Sequence, residues 1–215
     1  MPDKNLGPDR GGSGYYKDKS EMKPKALIVP HSGIQLSGKT AAHAYASLIG
    51  HTQDFDTVFI LGPSHHYQVD NFIGLSSYTA WSTPLGDLEL ASDIADELIE
   101  KSTLPDHNKY PCCGSSKRMR IATFERIAPE YEDEEHSLEM QMIYIRWLFR
   151  DRMNSEKDVK VVPMTVGRIM VDNYYDYAKM LMDHFKNPRN LFIISSDFCH
   201  WGVKYNYRHR FEMKH

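Results

Sequence analysis

The sequence predicts an α/β fold, a central sheet flanked by helices, and three observations carry that prediction. Short apolar runs of strand length recur, notably at 26–29, 57–61 and 191–194, and they alternate with longer stretches in which apolar residues repeat at helical spacing. Each of the three runs also stops abruptly at residues able to bind metal or move protons: Pro30-His31-Ser32-Gly33, Gly62-Pro63-Ser64-His65-His66 and Ser195-Ser196-Asp197-Phe198-Cys199-His200. Ligands of α/β sheets bind where strands end, so three such tips imply one shared site.

A chain of 215 residues suits one domain. Its 26 basic and 29 acidic side chains leave no basic excess to favour nucleic acid, and no apolar run is long enough to span a bilayer. The polar start Met1-Pro2-Asp3-Lys4-Asn5 lacks the apolar core of a signal peptide, which points to a cytoplasmic protein. Three cysteines, two of them adjacent at Cys112 and Cys113, form neither a disulfide framework nor a CxxC zinc pattern.

Taken in order, residues 1–23 are rich in Gly, Pro, Asp and Lys and read as a flexible arm preceding a domain over 24–215. Lys25 to Val29 is a buried-type strand that leaves His31 at its tip. A helix follows, with Ser37 as its expected N-cap, an apolar face through Ala41, Tyr45 and Leu48, and Gly50 at its end. Thr57 to Leu61 is the second strand; strand, helix, strand in this order predicts a parallel pair with neighbouring tips. Phe72 to Ser76 forms another strand, and Ala91 to Ser102 an amphipathic helix.

Residues 103–121 combine Pro105, Pro111, both adjacent cysteines, Gly114 and a basic patch, and read as a surface loop. The acidic run Glu130 to Glu135 closes it, and a helix from Ser137 to Phe149 follows. Asp158 to Gly167 is a strand that Pro163 assigns to an end or an edge. A helix over Asp172 to Phe185 and the strand Leu191 to Ile194 complete the series.

Neutral imidazole is a good ligand for iron, copper or zinc, and two imidazoles leave coordination positions open to a substrate or dioxygen. His31 and His65 are candidates if the fold unites their tips; His66 is the alternative partner, or a residue that fixes the loop. Asp197 and His200 fit either a ligand pair or a base oriented by a carboxylate, against the plainer role of Asp197 as a cap. His136 and Glu139, at i and i+3 near a helix start, fit a metal pair or a solvated helix end equally well. Cys199 and His200 are adjacent and point apart, so they do not form a nucleophilic pair.

The segments Pro30-His31-Ser32-Gly33, Leu61-Gly62-Pro63-Ser64-His65-His66, Asp133-Glu134-Glu135-His136-Ser137-Leu138-Glu139-Met140 and Ser195-Ser196-Asp197-Phe198-Cys199-His200-Trp201-Gly202 together resemble the Memo family, named as mediators of receptor tyrosine kinase-driven cell motility. The resemblance runs from about Lys25 to the C-terminus and implies a central mixed sheet of the class III extradiol dioxygenase type. It further implies His31 and His65 as metal ligands of an iron or copper ion. His66, His136, Glu139, Asp197 and His200 would line the pocket, with His200 in the place of the dioxygenases' acid–base histidine and Asp197 beside it. Phosphotyrosine-containing signalling proteins are the implied partners. In the family a cysteine well downstream of the Asp-Phe-Cys-His-Trp segment completes the metal site. The present sequence ends at His215, so the fold and site are expected to be incomplete at the C-terminus, with apolar strand edges exposed. Ile34 and Leu36 stand where the family has aromatic residues after the Pro-His turn.

Overall fold

A computed structural model describes residues 23–67, 69–103, 122–152 and 158–209. The expected arm at 1–23, apart from Lys23, and the expected loop at 103–121, apart from Thr103, lie outside the described residues, as do Cys112 and Cys113.

Among the described residues the sheet has eight strands: β1 (Ala26–Val29), β2 (Thr57–Pro63), β3 (Phe72–Leu75), β4 (Ala80–Trp81), β5 (Leu88–Leu90), β6 (Thr123–Arg126), β7 (Lys160–Val166) and β8 (Asn190–Ser195). The main path runs β1-β8-β2-β7-β3-β6, with the β4–β5 hairpin joined to β7 through β5. β1, β8, β2 and β7 are mutually parallel, whereas β3 runs antiparallel to β7, so the sheet is mixed, as expected. The helices are α1 (Ile34–Ala46), α2 (Ser92–Thr103), the single turn α3 (Pro129–Glu132), α4 (His136–Leu148) and α5 (Tyr174–Lys186). None is long and apolar enough to cross a membrane.

Strand periodicity divides the core into two layers. Val58 and Ile60 of β2 face one side with Tyr45 of α1 and Met142 and Ile145 of α4. Phe59 faces the other, with Leu98 of α2, Tyr177 of α5 and Phe192 of β8. Both faces of β2 and β8 are therefore covered, which is why these strands read as continuous apolar runs.

Three sequence expectations need correction. β1 and β2 are parallel but not adjacent, because β8 is inserted between them. That insertion places the Ser195–Asp197 exit between the two histidine tips. Ser37 is not a cap: α1 begins earlier, with Gly33 at its N-cap, and Ser37 is buried inside the first turns, donating its hydroxyl to Ser32 O at 2.5 Å. Pro163 lies within β7, an interior strand paired to β2 along its whole length. The proline is tolerated because the other side of β7 changes partner there: Lys160 and Val161 pair with β5, and Met164 to Val166 pair with β3.

Candidate metal centre

The parallel strands β1, β8 and β2 end at one edge of the sheet, and their exits carry His31, Ser195–Asp197 and His65 respectively. α4 starts at the same edge. Its second residue, Ser137, donates its hydroxyl to Pro63 O at 2.8 Å, which docks the helix start on the end of β2 and places His136 beside His65. Gly62 makes this approach feasible, since a Cβ there would lie 2.7 Å from Ser137 Oγ and 2.9 Å from Leu138 Cδ2.

His31, His65 and His136 each bring one ring nitrogen into a group whose members all lie within 4.8 Å of one another. Their ring centroids are 5.2 Å apart for His31–His65, 5.7 Å for His31–His136 and 4.4 Å for His65–His136. His31 is buried, His136 partly exposed and His65 exposed, so the cluster has one embedded wall and one open side.

The hydrogen-bond network assigns the tautomers of two of the rings. Ser195 Oγ commits its hydrogen to Ser137 O at 2.6 Å and accepts from Gln141 Nε2 at 3.0 Å. Its 3.0 Å contact with His31 Nδ1 therefore requires the imidazole to donate, leaving the lone pair on Nε2. Gln141 is itself fixed: its oxygen accepts from Tyr45 OH at 2.8 Å and its amide nitrogen also donates to Pro30 O at 3.1 Å. Glu135 does the same for His65. Its carboxylate accepts from His65 Nδ1 at 2.9 Å and from His65 N at 2.6 Å, again freeing Nε2. It also caps α4 by accepting from Ser137 N at 2.9 Å. Burial works against ionisation of Glu135, but the hydrogen bonds from His65 and Ser137 outweigh it and hold the carboxyl below its usual range.

Asp197 sits on the other flank. It accepts from His31 N at 2.7 Å, Ser32 N at 3.1 Å and Ser32 Oγ at 2.5 Å. Burial would raise its pKa, yet these donors and the His31 ring beyond them bring it below the usual carboxylate range. Burial holds the His31 imidazole below the usual histidine range, with Asp197 partly opposing and the neighbouring His65 and His136 adding to the depression. A neutral imidazole is the form that can ligate.

The remaining predicted site residues are distributed around this centre. His200 is half-exposed; its Nε2 lies 3.9 Å from Asp197 Oδ2, which is 4.0 Å from His31 Nε2, so His200 meets the cluster through Asp197. Its ring also packs on Tyr205, with centroids 4.8 Å apart. His66 is exposed and touches the cluster through the edge of His136, with centroids 5.8 Å apart. Glu139 is exposed and faces a neighbouring recess of about 360 Å³, shared with Glu135, Glu132, Tyr78 and Trp81. Cys199 is exposed and free.

Sequence reasoning did not single out Glu135, Ser195, Gln141 or Tyr45 as site residues. Glu135 was hidden within an acidic run, although a glutamate directly before a His-Ser helix start is a capping signal. Gln141 had a weaker one, a polar residue on the inward face of an otherwise apolar helix.

Comparison with known proteins agrees with these motifs. The family model described as Memo-like protein matches residues 12–215. The MEMO1 family protein MHO1 of Saccharomyces cerevisiae is 37% identical over 197 residues, covering 89% of this chain and 54% of its own. Protein MEMO1 of Xenopus laevis is 33% identical over 189 residues, covering 87% and 54%, and that of Homo sapiens is 32% identical over 191 residues, covering 88% and 55%. The chain thus spans about half the length of the curated relatives it matches. On the strength of the motifs, the family match and these relatives, the chain belongs to the Memo family.

Proposed function

We propose that this protein is a cytoplasmic signalling or adaptor module of the Memo type, whose strand-tip pocket holds a redox-active iron or copper ion on His31 and His65 and receives phosphotyrosine peptides in cell-motility signalling. The observation that carries the reading is the meeting of these two imidazoles with both Nδ1 positions anchored, by Ser195 and by Glu135, and both Nε2 lone pairs free. Imidazole nitrogen suits iron and copper alike. When bound, the ion would supply positive charge, which attracts an anionic tyrosyl phosphate, and a one-electron redox couple. The chain's own contribution is to hold the His31 ring neutral, to orient both rings and to keep one side open.

A second reading, a non-haem metal-dependent dioxygenase or oxidoreductase, is favoured by the placement of Asp197 between His31 and His200. There His200 would exchange protons with substrate and Asp197 would orient it. One set of measurements tests both readings. Anaerobic titration with iron(II) and with copper should give one ion per chain, lost in His31→Ala/His65→Ala; equal binding by the variant overturns the metal site. Binding of a tyrosine-phosphorylated peptide, and not its unphosphorylated form, supports the adaptor. Oxygen uptake with catechol-type substrates replaces that reading with the enzyme.

A further inference from the structure

We propose that His136 is a third metal ligand, so that His31, His65 and His136 form a three-imidazole site for a divalent transition-metal ion, with Glu135 as the positioning residue of the His65 ring. This rests on the reading above that the pocket holds a metal, and it assigns residues of this chain that the motif resemblance places only in the pocket wall.

The argument begins with what the three rings lack. His31 and His65 each spend Nδ1 on a protein acceptor, and their Nε2 lone pairs have no hydrogen-bond donor among the described residues. The closest approach recorded for His31 Nε2 is a carboxylate oxygen of Asp197 at 4.0 Å, itself an acceptor. A nitrogen lone pair left without a protein donor is available to an electron-pair acceptor, and a metal ion is one.

His136 supplies the third donor because of where α4 begins. The Glu135 cap and the Ser137–Pro63 hydrogen bond fix the helix start on β2, so the first helical side chain is held against His65. The nearest carboxylate contact of the His136 ring, Nδ1 to Glu135 Oε1, is 3.8 Å, beyond hydrogen-bond range, and the side chain is 42% exposed, so this ring is free to turn. That freedom is what the geometry requires. An ion holding nitrogens at about 2.0–2.1 Å in a tetrahedral arrangement separates them by about 3.4 Å. The widest separation in the cluster, at most 4.8 Å, thus has to close by at most about 1.4 Å. Rotation of the partly exposed His136 ring shortens its own distances to the other two while the buried His31 stays on Ser195.

Glu135 acts at one remove. It accepts from His65 Nδ1 at 2.9 Å, in the carboxylate–histidine–metal arrangement that fixes ring orientation and raises ligand basicity, and stands 3.8 Å from His136 Nδ1.

The test uses the whole chain, freed of metal, with cobalt(II) as probe and two readouts. Long-range ¹H–¹⁵N spectra of the metal-free protein should show His31 and His65 protonated on Nδ1, and Glu135→Gln should disturb the His65 pattern alone. Visible absorption on cobalt titration should show one ion per chain, with about 10–100-fold weaker binding in Glu135→Gln. His136→Ala should weaken binding further and change the ligand-field bands. Among the described residues the His136 side chain donates no hydrogen bond, and urea unfolding of that variant should match the parent. If His136→Ala binds cobalt with the parent's affinity and spectrum while His31→Ala/His65→Ala does not bind, the third ligand is wrong and the two-histidine reading stands. If the parent binds no cobalt, both fail. An Nε2-protonated His65 overturns the role given to Glu135.

Discussion

Glu135 offers the most demanding stability test, because one carboxylate serves three donors. The perturbation is Glu135→Ala. The Ser137 amide it would orphan belongs to a fully buried residue, and an unsatisfied buried N–H costs about 1–3 kcal/mol. The same bond is the N-cap of α4, whose loss is typically worth about 1 kcal/mol and is already contained in that range. The two donors on His65 belong to a ring about one-third exposed, so water replaces part of what is lost there. A charge-assisted contact of this kind adds roughly 1 kcal/mol after that discount. The sum is about 3 kcal/mol, or a fall in Tm of roughly 6–12 °C for a domain of this size.

The assay is urea unfolding of the metal-free protein, read as a lower midpoint at unchanged slope. Glu135→Gln should fall between alanine and the parent, since its oxygen can still cap Ser137 while its amide nitrogen faces a donor. Acid should remove the parent's advantage over alanine: a carboxylate held below its usual range contributes stability that is present above that range and is lost as pH falls through the folded-state pKa. A loss below about 0.5 kcal/mol for alanine, or a glutamine variant less stable than alanine, would refute the account of the cap.

Two further outcomes follow from neighbouring residues. Gly62→Ala forces a methyl into Ser137 Oγ and Leu138 Cδ2, and should cost about 1–3 kcal/mol and part α4 from β2, seen as a loss of cross-relaxation between the His65 and His136 rings; Gly33→Ala, which meets nothing within 4 Å, is the steric control and should leave that cross-relaxation intact. Glu132 is buried with Oε1 lacking a hydrogen-bond partner among the described residues, and burial, aided by Asp133 and opposed by Ser76 and Ser77, raises its pKa. A raised folded-state pKa means stability that is full below the usual glutamate range and lost as pH rises through it. Glu132→Gln should therefore gain on the parent between about pH 4 and pH 8, and a difference that is flat across that window would contradict the assignment.

The parts of this fold that were legible in the sequence are those in which one physical term dominates. β2 and β8 are covered on both faces, so burial alone makes them apolar throughout, and α2 and α5 carry one buried stripe each. β4 and β5 have two and three residues, too few for any periodicity to declare itself, and their pairing is settled by β7 rather than locally. Pro163 misled because the rule against proline concerns a missing hydrogen-bond donor, and β7 changes neighbours where that donor would be needed. Ser37 misled because a serine near a helix start caps only if its backbone is still extended, and here the helix has already begun at Ile34.

The site divides along the same line. His31 and His65 were legible because each follows a strand directly, so chain position alone puts it at the sheet edge. The insertion of β8 between β1 and β2 is a long-range pairing that no local pattern records, yet it is what brings Ser195 to His31 and Asp197 to the flank. The outer partners are less visible still, because their work is mutual. Tyr45, Gln141 and Ser195 come from α1, α4 and β8, and Gln141 joins the other two, accepting from Tyr45 and donating to Ser195. Such a network holds the orientation of His31 through three separate elements, so a change at Tyr45, well away from the ring, reaches it only through Gln141 and Ser195. The ligands can be read from the strand tips, but the preset geometry that would make them a site belongs to the packed helices behind them.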